Sequence, residues 1–437
     1  MHGRNRRPPM LSRRDFITGT ALGVAGLACL GPFAVSVRAA ELFPKKKQRV
    51  VVVGGGFGGA TAARYLKLYD PGLEVFLIEP LRQYVTCPSS NLVISGILKM
   101  QAITHGYDRL ARQGIRVLQD TVSAIDPVAG YVEISKGKIA YDRLVVAPGV
   151  DFSFDLIPGM DAAARKQFPH AWKAGEQTVQ LARELATLKK GGSFLISIPE
   201  APFRCPPGPY ERISMVAAFM KRTGNKGKVL VLDANPDVVS KAKLFKTAWA
   251  DLYRDIIEYS PDVSLKGVDA GKRRLTTDKG ELSADIINII PEQKAGALAF
   301  STGLVTKGGR WAAASPLTFE STLHKGIHVV GDAADREQVG GMPHSGIVAS
   351  SMGKTVAAAV VSLLQGKEPQ LPSLENSCYS QVSDTESIYV TGVFQYDAAA
   401  KKLVGVKAAG SASSGREARY TQHYRDWQVS ITKDTFG

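Results

Sequence analysis

Apolar residues in this chain fall into short unbroken runs that end at glycine, proline or an acid. Val50–Val53 is four consecutive valines. A half-exposed strand alternates, so such a run predicts a strand buried on both faces. Glycines follow at once, and Ala60–Leu68 continues in a helical pattern. Leu73–Ile78 is a second strand-like run, closed by Glu79. YDRLVVAPG (Tyr141–Gly149) and GIHVVGDAA (Gly326–Ala334) are further buried runs that end in Pro-Gly and Gly-Asp turns. FLISIP (Phe194–Pro199) and KVLVLD (Lys228–Asp233) repeat the pattern in the middle of the chain, and Pro343–Ala359 predicts a helix. Ile115–Val117 and Tyr131–Ile134 read as short strands of a βββ excursion. Strands alternating with helices predict an α/β protein with parallel sheets.

The glycines add chemistry. Gly54, Gly56 and Gly59 fit G-x-G-x-x-G between a strand and a helix, a turn that lets a pyrophosphate approach the helix N-terminus. Glu79, 20 residues after Gly59, can accept from the hydroxyls of an adenosine ribose. In flavoproteins with two dinucleotide-type domains, an aspartate placed like Asp332 holds the ribityl chain of FAD. The helix after Pro343 can then face the flavin pyrimidine end. Each feature alone is an ordinary strand end; their order and spacing point to FAD. After the strand Phe194–Ile198 the chain reads EAPFRCPPGPYERI, where Pro202, Pro206, Pro207 and Pro209 cannot make a second glycine turn. No NAD site is expected there.

At 437 residues the chain exceeds one core. The expected fold is two Rossmann-like domains plus a C-terminal α+β interface segment. The FAD domain comprises 45–167 and 292–366, the inserted second domain 168–291, and the C-terminal segment 367–437. Residues 1–39 form a predicted twin-arginine signal. SRRDFI (Ser12–Ile17) precedes a weakly apolar, Gly/Ala-rich stretch, and Val37-Arg38-Ala39 offers small residues for cleavage. The expected location is the periplasm. Pro32 and the glycines argue against a membrane anchor, and no other segment reads as a span of the mature chain.

Lys+Arg number 55 against 40 Asp+Glu. Without the first 39 residues the counts are 49 and 39, a net +10. No basic run exceeds Lys45–Lys47, and no nucleic-acid motif accompanies the charge. No metal site is expected. Of four cysteines, Cys29 leaves with the signal, so Cys87, Cys205 and Cys378 remain. In an oxidising compartment two can pair and one is left over.

The TCPSSN around Cys87, CPPGPYE (Cys205–Glu211), Gly331-Asp332-Ala333 and Cys378-Tyr379-Ser380 together resemble the flavoprotein subunit family of flavocytochrome c sulfide dehydrogenase, within the glutathione-reductase-like flavoproteins. The resemblance covers nearly all the mature chain, and CPPGPYE is its most specific part. It implies FAD bound covalently through Cys87, a redox-active Cys205–Cys378 disulfide over the flavin, and Glu211 as a proton acceptor. The implied cofactor contacts are Gly54, Gly56, Phe57, Gly59, Glu79, Cys87, Val122, Gly149, Gly331, Asp332, Pro343 and His344. Plainer roles compete: Cys87 as a buried free thiol, Cys205–Cys378 as a structural staple, Glu211 as a surface carboxylate paired with Arg212 or a lysine. The implied activity is oxidation of sulfide with electrons passed to a c-type cytochrome subunit. No C-x-x-C-H occurs, so haem is expected only on that partner chain. A redox accessory role in a Sox sulfur-oxidising system and a sulfide:quinone reductase are the alternatives. His344 stands where the family often has lysine after Met-Pro, and a neutral imidazole stabilises anionic reduced flavin less.

Overall fold

A computed structural model describes residues 41–437. The expected export signal, 1–39, and Cys29 with it, lie outside the described residues. Two parallel sheets carry the architecture and confirm the α/β expectation. The first has five strands in the order Ile327–Val329, Arg143–Val146, Arg49–Val53, Glu74–Ile78 and Arg116–Leu118. Val51 sits at its centre, paired with Phe76 on one side and Leu144 on the other. Val50, Val51 and Val52 are fully buried, which explains a run without alternation. The second sheet runs Ile257–Ser260, Val229–Asp233, Phe194–Ile198, Ile286–Ile289, again all parallel. The first sheet thus draws strands from both sides of the segment that builds the second.

One expectation is corrected. Arg116–Leu118 does not join the antiparallel excursion with Tyr131–Ile134. It pairs in parallel with Phe76–Ile78 as the edge of the first sheet. The excursion is instead Val122–Asp126, Tyr131–Ile134 and Gly137–Ala140. A three-residue strand carries no local mark of its partner; the buried Phe76–Ile78 edge decides it.

Helices Phe57–Tyr69 and Gly346–Leu364 pack together within the core of the first sheet. Among the described residues, Gly346–Leu364 is one helix long and apolar enough to cross a membrane, although the sequence reading found no such segment. Two-thirds of its apolar window is buried inside the chain, as a core helix requires. It begins at Gly346 rather than Pro343, with the Ser345 hydroxyl accepting from the Val348 amide. The C-terminal segment is an antiparallel sheet of Ser373–Gln381, Ser387–Asp397 and Lys402–Gly405, followed by the helix Ala418–Phe436.

Arg49 anchors the first strand. It is fully buried, and its Nε lies 2.6 Å from Glu74 Oε2. Its other donors reach the carbonyls of Phe43, Ala140 and Pro44. Arg49→Ala leaves Glu74 short of a partner and strands these carbonyls. It is expected to lower stability by about 3 kcal/mol, read as a fall in the urea midpoint. An unchanged midpoint would show the pair to be energetically neutral.

Candidate functional site

The glycine loop is closed so tightly that side chains are excluded. Gly54 has φ of 98°, and a Cβ there would lie 2.2 Å from the Ala147 carbonyl oxygen. A Cβ on Gly59 would lie 1.9 Å from the Gly54 oxygen. Glu79 braces the loop: one carboxylate oxygen accepts from the Gly55 amide at 2.7 Å, the other from Leu81 at 2.9 Å. Each oxygen keeps a lone pair for a further donor such as a ribose hydroxyl.

Aromatic rings cover this loop, among them Phe57, one of the implied cofactor contacts. Phe57 meets Tyr84 edge-on, and Phe436 from the C-terminal helix packs against both. His105 stacks on Phe436, and the Tyr107 hydroxyl donates to the Gly55 oxygen at 3.0 Å. The chain's last helix therefore seals its first turn.

Beyond Tyr84 lies a line of buried polar atoms without partners: Arg204 Nε, Asp332 Oδ1, Arg336 Nε and His344 Nδ1. Arg204 feels the charges of Cys87, Asp332, Tyr84 and Cys205, so one continuous region joins them. Asp332 lies 3.7 Å from Arg336 and 4.0 Å from His344, too far for good hydrogen bonds. Each unpaired buried group costs about 1–3 kcal/mol. A polar ligand running from the glycine loop past Asp332 would satisfy them, and an extended dinucleotide such as FAD has the needed acceptors and hydroxyls. The residues present fit it. Burial, then the Arg336 charge, pushes the His344 imidazole well below its ordinary pKa, against the pull of Asp332.

The three thiols sit at one end of this region. Cys87 is half-buried, with its Sγ 3.5 Å from the Trp172 oxygen. Cys205 has a left-handed backbone (φ 55°), and its amide donates to the His344 oxygen at 2.7 Å. Cys378 lies on the strand Ser373–Gln381. All three are free thiols, so the expected Cys205–Cys378 bond is not formed in the structure. The two residues are nevertheless electrostatic neighbours. Burial raises the Cys205 thiol, reinforced by Cys378 and Glu211. Burial also raises Cys378, opposed by Lys241.

Glu211 is not a surface carboxylate. It is buried, accepting from the Gln381 amide at 2.9 Å and from Asn91 Nδ2 at 2.8 Å. Burial raises its pKa despite these bonds. Arg212 is not its partner either; the guanidinium bonds Asn91 Oδ1, Asn288 Oδ1 and the carbonyls of His170 and Ala171. Glu211 thus links the Cys87 loop, the CPPGPYE helix and the Cys378 strand. Asn91, Arg204, Lys241 and Gln381 went unnoticed in the sequence, because nothing local marks a contact made across 120 or 170 positions.

The remaining candidates divide. Gly149 and Gly331 turn with positive φ at the ends of the first sheet's strands, and Pro343 precedes His344 in the turn that receives Cys205. Val122 is a core residue paired with Ile134 in the excursion. No bond ties it to the other candidates.

Three family descriptions match successive parts of the chain. Residues 48–191 match pyridine nucleotide-disulphide oxidoreductase. Residues 178–291 match the central part of the sulfide dehydrogenase [flavocytochrome c] flavoprotein chain. Residues 370–436 match the flavin-binding part of flavocytochrome c sulphide dehydrogenase. A sulfide dehydrogenase [flavocytochrome c] flavoprotein chain from Chlorobaculum thiosulfatiphilum is 61% identical over 46 residues, 10% of this chain and 96% of that sequence. Mitochondrial sulfide:quinone oxidoreductase of Mus musculus is 23% identical over 233 residues. That match takes in 50% of this chain and 51% of the mouse protein, so the chain spans about half the length of this relative. The solved sulfide:quinone oxidoreductase of Aquifex aeolicus superposes with a TM-score of 0.73 at 18% identity, covering 89% of this chain and 91% of that one; it shares the fold.

Gly59→Ala tests the loop. Forcing a Cβ against the Gly54 oxygen costs about 1–3 kcal/mol of loop distortion, or roughly tenfold in ligand retention. Flavin per purified chain, read from the absorbance ratio, is expected to fall accordingly. Full flavin content would show that the cofactor is cradled elsewhere.

Proposed function

The chain belongs to the flavocytochrome c sulfide dehydrogenase flavoprotein family, an oxidoreductase family, and from that premise we propose that it oxidises sulfide in the periplasm and passes electrons to a c-type cytochrome. The observation that carries this reading is the pair Cys205 and Cys378, set with Glu211 beside the line of unpaired polar atoms. In the working cycle the pair is a disulfide. Hydrosulfide attacks one sulfur, giving a persulfide and a thiolate, by ordinary thiol–disulfide exchange. Glu211, with its raised pKa, takes the proton when H2S arrives neutral. FAD, when bound, would supply a two-electron acceptor able to pass electrons on to a one-electron partner.

The chain's own residues set the cofactor's place. Gly54, Gly56 and Gly59 would receive the pyrophosphate, Glu79 the ribose and Asp332 the ribityl chain. Cys87 would hold the flavin covalently, which would prevent its loss where no FAD pool exists. Residues 1–39 supply the twin-arginine export signal, a route that carries folded, cofactor-loaded protein. With no C-x-x-C-H in the sequence, the haem belongs to a cytochrome subunit.

Cys87→Ala is expected to leave FAD extractable by acid, seen as loss of the fluorescent band on a denaturing gel. Flavin still attached to the denatured variant would refute the bond.

Replacing both Cys205 and Cys378 with serine tests the activity itself. The variant is expected to fold, keep covalent flavin that dithionite still reduces, and lose sulfide-dependent cytochrome c reduction by roughly a thousandfold or more. Turnover near the wild-type rate would return the pair to a structural role. Activity with quinone in place of cytochrome would favour the sulfide:quinone reductase reading.

A further inference from the structure

We propose that Lys241 stabilises the Cys378 thiolate when the pair opens, and thereby fixes which sulfur leaves. The proposal rests on the reading of Cys205 and Cys378 as a redox pair.

Lys241 precedes the helix Ala242–Leu252 and adopts a left-handed backbone, φ 57°. Non-glycine residues hold that conformation only where the surroundings demand it. Its ammonium reaches the strand Ser373–Gln381, donating to Ser380 Oγ at 2.8 Å and to the Cys378 carbonyl at 3.1 Å. The third contact is Cys378 Sγ at 3.9 Å. An ammonium has three donors, and here two are spent on holding position while the last faces sulfur. No carboxylate is hydrogen-bonded to Lys241 among the described residues. The Glu211 carboxylate shares its field, and a cation tethered by two neutral acceptors with its third donor on sulfur suits a site where a second anion forms in the cycle.

Among the described residues, Cys205 has no matching donor. Pro206, Pro207 and Pro209 follow it and lack N–H groups. The Gly208 amide is spent on the Cys205 carbonyl at 2.8 Å. The helix that opens there, Gly208–Thr223, thus begins with most of its donors removed or used. Other charges surround both sulfurs. Glu211 faces each and disfavours either thiolate. Arg204 favours a Cys205 thiolate, but its field is shared with Cys87 and Asp332. Lys241 favours the thiolate of Cys378.

The step follows. The sulfur of HS⁻ attacks Cys205 Sγ and forms a new S–S bond. The Cys205–Cys378 bond breaks, and its electron pair leaves on Cys378 as a thiolate beside Lys241. The hydrogen stays on the outer sulfur of the Cys205 persulfide. The incoming sulfur is oxidised by two electrons, and the pair is reduced by two. Lower basicity makes the better leaving thiol, so the cation on Cys378 directs attack to Cys205.

The test uses the purified flavin-loaded protein, reduced with a phosphine and freed of reductant anaerobically. Iodoacetamide is applied from about pH 5 to about pH 10, and each cysteine peptide is quantified by mass spectrometry. In the wild type, Cys378 is expected to react at lower pH than Cys205. Lys241→Met is expected to move the Cys378 curve up by roughly 1–2 pH units and leave the Cys205 curve in place. Lys241→Arg keeps the charge and is expected to stay near the wild type. An unmoved Cys378 curve in Lys241→Met, or Cys205 as the more reactive wild-type thiol, overturns the proposal. After one turnover with sulfide, cyanide-labile sulfur on the Cys205 peptide supports it, and the same label on Cys378 overturns it. Peptide mapping of the air-oxidised protein separates the premise. Absence of any Cys205–Cys378 bridge would sink the redox-pair reading, whereas the alkylation curves still judge Lys241.

Discussion

One buried guanidinium holds the site together. Arg212 is 1% exposed, and its donors meet Asn91, Asn288 and the carbonyls of His170 and Ala171. Asn91 then turns its amide to Glu211, and Glu211 accepts from Gln381. A buried charge with missing partners costs several kcal/mol, so these groups assemble together or not at all. That requirement fixes the Cys87 loop, the helix after Cys205 and the strand of Cys378 in one register. The thiols come together because of the network beneath them.

Backbone strain collects in the same place. Eight described non-glycine residues have positive φ. Ser89 follows Cys87 by two positions, Ala171 carries an Arg212 bond, Cys205 is itself one of the thiols, and Lys241 touches Cys378. Half of these conformations therefore surround the sulfurs. Each costs on the order of 1–2 kcal/mol, a cost the network beneath can hold. Tyr424 from the C-terminal helix adds a clamp, accepting from the Ser89 amide at 3.0 Å. The tail thus closes both ends of the region: Phe436 at the glycine loop, Tyr424 at the thiols.

Charge is distributed unevenly along the line. Arg336 is a buried cation and Arg204 a half-buried one, while burial and the Arg336 charge hold the His344 imidazole well below its ordinary pKa, against Asp332. The imidazole packs against Trp311 at 4.6 Å and works as a flat polar wall. Positive charge that a lysine would carry at that position is instead held on the neighbouring arginines.

Several features were legible in the sequence because their cause is local. Four consecutive valines announce a strand buried on both faces. Gly54 and Gly59 announce a turn too tight for a side chain, and prolines around Cys205 rule out a second such turn. Only tertiary structure decided the rest. The edge strand Arg116–Leu118 took its partner from Phe76–Ile78, and the apolar helix Gly346–Leu364 proved to be a core element. Glu211 could be a proton acceptor or a surface acid on sequence grounds, and Asn91 and Gln381, reaching it from distant segments, made it a buried one. Lys241 showed nothing in its own neighbourhood. Its meaning comes from a strand 137 positions away, and no periodicity or turn signal encodes a contact made across that distance.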